Sequence, residues 1–187
     1  MTTEFGVGRG KVFPASKAPS LLNPARRVVQ SPTRLAARLG VPADSRVLEL
    51  GCGPGFFSPS LAAAVPSGQL VLADLQHPML VHARDRVVAH HNVRFVQADA
   101  SRLPVASGMF DAVVIVLMLG EVPDRDACLA ECRRVLRENG VAFFAESRRD
   151  SDFIKRNELR NLVEPHGFEL DESHGWSWEY TARFRAR

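Results

Sequence analysis

The sequence predicts an α/β fold built on a doubly wound, mostly parallel sheet, and three observations support this. From Arg46 onwards, short apolar runs alternate with segments of helical periodicity, as in strands joined by crossover helices. A glycine-rich turn directly follows the first apolar run, Val47-Leu48. The run from Phe110 to Val116 is almost wholly apolar, which is typical of a central parallel strand covered on both faces.

The first helix is predicted between Ser31 and Gly40. Ser31 is a suitable N-cap, and Pro32 suits the first helical position because its missing N–H needs no partner there. Leu35, Ala36 and Leu39 form the apolar stripe of this helix.

A second strand is predicted from Gln69 to Asp74, a third from Val93 to Ala98 and a fifth from Val141 to Ala145. The second strand ends in a carboxylate, and the third is followed directly by Asp99. Because the carboxyl ends of parallel strands lie at one edge of a sheet, both acids are expected to face a common ligand crevice.

The later helices are predicted from apolar positions at helical spacing, over Pro78 to His90, Arg125 to Arg137 and Phe153 to Glu164. The pair Asn139-Gly140 is expected to cap the second of these, and Gly167 to follow the end of the third. From Trp178 to Arg187 apolar and polar residues alternate strictly, which predicts an antiparallel strand with one buried face.

The glycine turn, Glu49-Leu50-Gly51-Cys52-Gly53-Pro54-Gly55, is the strongest functional signal. Glycine lets bare backbone approach a bound cofactor, because it carries no Cβ and tolerates positive φ. The spacing is G-x-G-x-G, whereas a dinucleotide turn needs a small residue at position 56, where this chain has Phe56. Asp74 stands about 20 residues further on, where such folds place an acid that binds ribose hydroxyls. These features indicate an adenosine cofactor other than NAD.

These motifs resemble the class I S-adenosylmethionine (SAM)-dependent methyltransferases, above all the branch of ubiquinone/menaquinone-biosynthesis and other small-molecule enzymes. The resemblance spans Val47 to Glu146. It implies a Rossmann-like α/β fold with a seven-stranded, mostly parallel sheet and a C-terminal antiparallel hairpin. Further matching segments are Leu103-Pro104-Val105, Phe110-Asp111-Ala112-Val113-Val114, Val122-Pro123-Asp124 and Arg134-Val135-Leu136-Arg137-Glu138-Asn139-Gly140.

The resemblance also implies roles at the cofactor. The glycines would pass under the methionine and ribose portion, Glu49 would meet the methionine end, and Asp74 would accept from the ribose. Leu75 and Met79 would enclose the adenine, although a methionine at helical spacing is as often a core residue. The implied cofactor-binding residues are Glu49, Gly51, Cys52, Gly53, Gly55, Asp74, Leu75, Met79, Asp99, Ala100, Ile115 and Val116.

The catalytic residues are not identified by the sequence. Many members of this branch have two histidines just before Val-Pro-Asp, where this chain has Gly120-Glu121, so their role does not carry over. Glu121 is a weak candidate for a base or for a cation-holding group, and its alternative is an ordinary exposed loop carboxylate. The six histidines show no ligand spacing, and no metal site is predicted.

Composition is that of an ordinary globular chain, with 45% hydrophobic and 24% charged residues among 187. We expect no membrane span and no signal peptide, because no apolar run is long enough. Three cysteines suggest reduced thiols in a cytoplasmic protein. Cys128 and Cys132 are expected on the apolar face of their helix.

We divide the chain into an N-terminal arm and helix, residues 1–45, and a SAM-binding domain, residues 46–187. Residues 1–46 carry eight basic and two acidic side chains, an excess of +6, although the whole chain carries only +3. Met1 to Ala18 is expected to be loop, and Gly6 to Lys11 a flexible tail. Leu21 to Arg27 is the best candidate for a lid. Deleting residues 1–20 is therefore expected to leave the fold and SAM affinity largely intact, whereas a deletion through Arg27 is expected to impair turnover or substrate selectivity.

The preferred interpretation is a methyltransferase that uses SAM, yields S-adenosylhomocysteine and acts on a small-molecule acceptor. One alternative is a SAM-binding protein without activity, because no catalytic residue is identified. Another is an enzyme acting on protein or nucleic acid, which the basic arm permits but does not favour. Oligomeric state is left open.

Overall fold

The structure is a computed structural model that describes residues 4–24 and 30–187. Part of the expected lid, Ala25 to Arg27, therefore lies outside the described residues. The helices are α1 (Ala18–Leu21), α2 (Pro32–Leu39), α3 (Ser58–Ala64), α4 (His77–Arg86), α5 (Arg125–Val135) and α6 (Arg156–Val163), with 3-10 turns at Ala15–Lys17 and Glu164–His166. The strands are β1 (Arg46–Leu50), β2 (Gln69–Asp74), β3 (Val93–Gln97), β4 (Phe110–Val116), β5 (Leu136–Ser147), β6 (Phe168–Trp176) and β7 (Glu179–Ala186).

The strands form one seven-stranded sheet in the order β3-β2-β1-β4-β5-β7-β6. Strands β1 to β5 are parallel, and β7 pairs antiparallel with both β5 and β6. This confirms the predicted fold class, including the C-terminal hairpin. The strand order reverses between β1 and β4, which is where open α/β sheets form their ligand crevice.

The sheet separates two apolar cores, because successive side chains of a strand point to opposite faces. On one face, Leu48 and Leu50 of β1 pack in a core with residues of α5 and α6. On the other face, Val47 packs in a core with residues of α2, α3 and α4. Cys128 and Cys132 are fully buried free thiols in the first core, as predicted.

The structure confirms both predicted ends of helix α2. The side chain of Ser31 accepts a hydrogen bond from the N–H of Arg34, and Gly40 ends the helix with φ of 63°. Leu35 and Leu39 are buried.

The predicted helix cap at Asn139-Gly140 is wrong. Helix α5 ends at Val135, and Leu136 already has extended backbone and pairs with Phe110 of β4. The next matched pair is Ala112 with Val141, so the extra residues form an irregularity inside β5 in which Asn139 has φ of 61°. Pairing of Leu136 with the sheet therefore overrides the local capping signal. Helix α4 also ends earlier than predicted, at Arg86 instead of His90.

Residues 4–17 pack against the domain, although their composition predicts a loop and a tail. Residues 4–17 fold back on themselves and onto the domain, with Phe5 and Val12 forming an isolated bridge. Composition misses this because the partners that hold the segment lie far along the chain.

Candidate functional site

A cavity of about 750 Å³ lies at the carboxyl ends of β1, β2 and β4, where the strand order reverses. This volume is within the range of ligand sites in proteins. The glycine turn forms one wall, the N-terminal arm another, and the loops after β3, β4 and β5 the rest.

The three glycines of the turn all have left-handed backbone, with φ of 69° at Gly51, 52° at Gly53 and 79° at Gly55. A Cβ at Gly55 would lie 2.9 Å from the Cα of Ala83, so this glycine lets the turn pack against α4. At Gly53 the space is open, and the nearest atom to an added Cβ would be Cδ1 of Leu21, 3.9 Å away. Gly53 thus leaves a gap between the turn and the arm.

Asp74 ties the turn to the end of β2. Its Oδ2 accepts a hydrogen bond from the N–H of Gly53 at 2.9 Å, and its Oδ1 accepts one from the N–H of Gln76 at 2.9 Å. A carboxylate has about four acceptor positions, so each oxygen can accept one more hydrogen bond. Burial raises the pKa of this carboxyl, while the backbone hydrogen bonds lower it.

Glu49 is buried beneath the turn, with 2% of its surface exposed. Its Oε2 accepts a hydrogen bond from the hydroxyl of Ser58, the first residue of α3, at 2.6 Å. Burial raises its pKa to about 8, against the lowering effect of the Ser58 hydrogen bond. A cationic group entering the cavity beside it would favour the ionised form.

The expected adenine-side residues, Leu75, Met79, Asp99 and Ala100, all line the cavity. Met79 is buried in the wall of the cavity, a position that is compatible with both a core residue and a residue that contacts the cofactor. Asp99 caps its own loop by accepting a hydrogen bond from the N–H of Ser101 at 2.8 Å.

The last two side chains of β4 point to opposite faces of the sheet, as the alternation along a strand requires. Val116 lines the cavity, whereas Ile115 is buried in the core beneath α5 and is not among the lining residues that the structure describes. Leu117 also lines the cavity, and its φ of 52° is uncommon for a branched side chain.

Cys52 lies in the turn and lines the cavity while remaining buried. Burial raises the pKa of its thiol well above the ordinary value, and nearby Glu49 and Asp74 raise it further. The thiol is therefore protonated at neutral pH and is a poor nucleophile.

Glu121 lines the cavity and is half-buried, so the alternative of an ordinary exposed loop carboxylate does not hold. Its Oε2 accepts a hydrogen bond from the N–H of Phe13 at 3.0 Å. Burial raises its pKa to about 8, with further contributions from Asp150 and Asp152.

The N-terminal arm, residues 4–24, closes one side of the cavity with Val7, Val12 and Phe13. Gln76 holds it at two points, since its Oε1 accepts from the N–H of Ala15 at 2.9 Å and its Nε2 donates to the carbonyl of Phe13 at 2.7 Å.

A second anchor of the arm is Arg9. Its guanidinium donates to both carboxylate oxygens of Glu158, at 2.9 and 3.2 Å, and to the carbonyl of Phe153 at 2.9 Å. The N–H of Gly10 donates to the carbonyl of Gly120 at 2.9 Å. Sequence reasoning missed Phe13, Gln76 and Arg9, because each contact joins residues more than 60 positions apart and no local pattern marks it.

Across residues 4–24 and 30–187, histidine, cysteine, aspartate and glutamate side chains nowhere come together in a group of three or more suited to a metal ion. In that same part of the chain, no helix has the length and apolar character needed to cross a membrane.

Comparison with known proteins identifies the family. The methyltransferase-domain family matches residues 47–140, which is half of the chain. The chain belongs to the methyltransferase-domain family. This confirms the predicted class, the class I SAM-dependent methyltransferases, and SAM as the cofactor that the class implies.

Two curated relatives and one solved structure illustrate the match. A ubiquinone/menaquinone biosynthesis C-methyltransferase of Hahella chejuensis is 40% identical over 105 residues, which cover 54% of this chain and 42% of the relative. A malonyl-[acyl-carrier protein] O-methyltransferase of Legionella pneumophila is 37% identical over 102 residues, covering 54% and 36%. The chain thus spans about two fifths of the length of these relatives.

The solved structure is a SAM-dependent methyltransferase from Aquifex aeolicus. It superposes with a TM-score of 0.86 over 94% of this chain and 100% of its own, at 19% identity. At this identity the likeness shows the fold alone. The superposition extends the agreement in fold beyond residues 47–140 to nearly the whole chain.

The residues of the cavity fit SAM. The gap at Gly53 leaves bare backbone open to the cavity, and Asp74 keeps acceptor capacity for hydroxyl groups. The acidic lining from Glu49, Asp74 and Glu121 suits a cationic cofactor. Phe56 is buried at the wall, where a dinucleotide turn would need a small residue.

Proposed function

We propose that this chain transfers the methyl group of SAM to a small-molecule acceptor. The observation that carries the proposal is the convergence of the glycine turn, Asp74, Glu49 and Glu121 on one cavity that the N-terminal arm closes. The names of the two curated relatives support a small acceptor group, since one belongs to quinone biosynthesis and the other to malonyl-[acyl-carrier protein].

In this proposal the cofactor is held at two ends. Gly51, Gly53 and Glu49 bind its methionine side, and Asp74 accepts hydrogen bonds from the ribose. Asp99 and Ala100 meet the adenine, which Leu75 and Met79 enclose. When bound, SAM supplies an activated methyl group, whose bond to sulfur breaks with its electron pair left on sulfur as the acceptor atom bonds to the carbon.

The contribution of the chain to such a displacement is positioning and the exclusion of water. A displacement gains most of its acceleration from holding the reacting groups close and aligned. Val12 and Phe13 give the cavity an apolar cover, and the ties of Gln76 and Arg9 hold that cover in place. We therefore assign the arm, residues 4–24, as the lid over the SAM-binding domain, whereas α2 belongs to the core of that domain.

Glu121 is the group that we propose as general base. It faces the cavity close to the cover, and its pKa of about 8 is near the range in which a base accepts a proton effectively at neutral pH. Its ionised form would take the proton that the acceptor atom loses on methylation.

We further propose that the protein acts in the cytoplasm. All three cysteines are free and buried, which matches a reducing compartment.

The test measures ligand binding first and turnover second. By calorimetry, SAM and S-adenosylhomocysteine are expected to bind, and NAD to bind far more weakly. Turnover is then followed as S-adenosylhomocysteine released from SAM with a size-fractionated metabolite extract, an RNA fraction and a protein fraction as acceptors. Turnover confined to the metabolite fraction supports the proposal. Binding without turnover would leave a SAM-binding protein, and turnover only with RNA or protein would replace the acceptor class.

A further inference from the structure

A second cavity of about 300 Å³ adjoins the cofactor cavity. It lies between the start of α2, the ends of β4 and β5, and the β6–β7 hairpin. Four residues line both cavities, namely Gln30, Phe57, Val116 and Leu117. The two cavities therefore share a wall at the end of β4.

The boundary between the two cavities contains a strained backbone position. Leu117 has φ of 52°, a left-handed conformation that side chains other than glycine rarely adopt. Such strain persists where the surrounding structure needs it, and it clusters at functional sites. At Leu117 it turns the chain sharply after β4 and leaves the end of the strand open to both cavities.

The lining of the second cavity is rich in aromatic rings. Trp176, Trp178 and Tyr180 come from the hairpin and Phe57 from the side of the cofactor cavity. Trp176 is 72% exposed and Trp178 is 47% exposed, so both indole rings can contact a bound molecule.

The hairpin tip is fixed in position. The guanidinium of Arg156 donates to the carbonyl of Gly175 at 2.9 Å and stacks 5.0 Å from the ring centre of Tyr180. The tryptophans beside it are thus presented on a defined turn of the chain.

The polar part of the lining places two arginines beside two carboxyl groups. Arg34 and Arg38, one helical turn apart on α2, line the cavity together with Glu179 and Glu146. Burial raises the pKa of both carboxyl groups, which favours their neutral forms, while the nearby arginines lower the pKa of Glu179. Arginine pairs well with carboxylate and phosphate groups, because its planar fork donates two parallel hydrogen bonds.

We propose that the second cavity is the acceptor site and that it takes an organic anion with a flat, apolar body. Arg34 and Arg38 bind the anionic group, the two tryptophans cover the body, and the end to be methylated reaches past Leu117 toward the cofactor. The identification as an acceptor site rests on the proposed function, whereas the preference for an anion does not.

The test uses the reporter that the chain already contains. Its two tryptophans both line this cavity, so intrinsic fluorescence reports on occupancy directly. The probes are 4-phenylbutyrate, 4-phenylbutanol and 4-phenylbutylamine, in which a phenyl ring on a four-carbon chain carries an anionic, a neutral or a cationic head group. With saturating SAM, the carboxylate is expected to bind about tenfold or more tightly than the alcohol, and the amine most weakly.

The matched variants distinguish the effect of the two arginines in the second cavity from the effect of the protein's overall charge. Arg34→Gln with Arg38→Gln is expected to abolish the preference for the carboxylate and to leave SAM affinity unchanged. Arg34→Lys with Arg38→Lys should keep part of the preference for the carboxylate. The control variant, Arg94→Gln with Arg160→Gln, removes two charges elsewhere and should keep the full preference. Melting curves establish that each variant is folded.

The outcomes distinguish this proposal from the proposed function. If SAM binds but the three probes bind equally, or the glutamine pair keeps the preference, the anion site is overturned and the methyltransferase proposal stands. If the carboxylate binds with the expected preference but SAM does not bind, the anion site is supported and the methyltransferase proposal fails.

Discussion

Asp74 joins the end of β2 to the glycine turn, because its carboxylate accepts a hydrogen bond from the N–H of Gly53. We expect Asp74→Ala to weaken SAM binding about tenfold to hundredfold, since hydrogen bonds to a charged group are worth roughly 1.5–3 kcal/mol. The same change removes the acceptor for the N–H groups of Gly53 and Gln76, so the melting temperature should also fall.

The control for this prediction is Asp74→Asn, which keeps one side-chain oxygen and so preserves part of the backbone contact. Calorimetry and melting curves on the three proteins separate ligand binding from support of the turn. If Asp74→Ala titrates SAM like the parent, Asp74 does not bind the ribose.

Glu121 leads to a prediction about pH. Its pKa is raised to about 8 by burial, and only its ionised form can accept a proton. As pH rises from 6 to 9, the ionised fraction increases, so kcat/KM should increase with an inflection near 8. Glu121→Gln should lower kcat/KM and remove this inflection, whereas Glu138→Gln at an exposed position should change neither. An unaltered pH profile in Glu121→Gln would show that another group is the base.

At the scale of elements, the N-terminal arm is where the structure changes the expectation from sequence. Residues 7, 12, 13, 20 and 21 line the cavity, so removal of the first 20 residues is no longer expected to be harmless. We expect deletion of residues 1–17 to weaken SAM binding and to reduce turnover, because Val12 and Phe13 would no longer exclude water. The domain should stay folded, since both apolar cores lie outside this segment.

A point variant tests the anchoring contacts of Arg9 separately from the apolar cover formed by Val12 and Phe13. Arg9→Gln removes the exposed ion pair with Glu158 and the bond to the carbonyl of Phe153. Exposed pairs contribute at most about 1 kcal/mol, so a few-fold loss of SAM affinity is expected. Lys17→Gln serves as the control at an exposed position of the same arm. Equal SAM affinity and turnover in the deletion variant and the parent would show that the arm is not a lid.

At the scale of the whole molecule, three acids with strongly raised pKa values make stability depend on pH. Glu49, Glu121 and Glu146 have pKa values raised to about 8, chiefly by burial, whereas in the unfolded chain they have ordinary values near 4.5. Between these values the folded protein holds more protons than the unfolded chain. The free energy of unfolding without ligand should therefore decrease as pH rises from about 5 to about 8.

Glu146→Gln provides the check, because glutamine resembles the protonated acid and does not ionise. Glu146 accepts a hydrogen bond from the N–H of Ile154 at 3.1 Å, which the amide oxygen can also accept. Denaturant unfolding should give the variant nearly parental stability at pH 5 and an advantage of more than about 1 kcal/mol at pH 8.5. A parental slope of stability against pH in the variant would contradict the role of Glu146.

The sequence by itself determined the parallel strands, the glycine turn, the acids at the strand ends and hence the family. Each of these is a local pattern, since a strand is recognised by its apolar run and the turn by its glycine spacing. The bounds of β4 were predicted to the residue for this reason. The carboxyl ends of parallel strands meet at one edge, so the convergence of Glu49, Asp74 and Asp99 followed from topology alone.

Only the tertiary structure decided what surrounds this site. The ties of Arg9 to Glu158 and of Gln76 to Phe13 join distant parts of the chain, and the half-burial of Glu121 follows from the same closure. The cap at Asn139-Gly140 failed because Leu136 pairs with β4, a contact that outweighs local helix signals. Local patterns record what the backbone prefers over a few residues, whereas the lid, the second cavity and the raised pKa values depend on which distant side chains exclude water together.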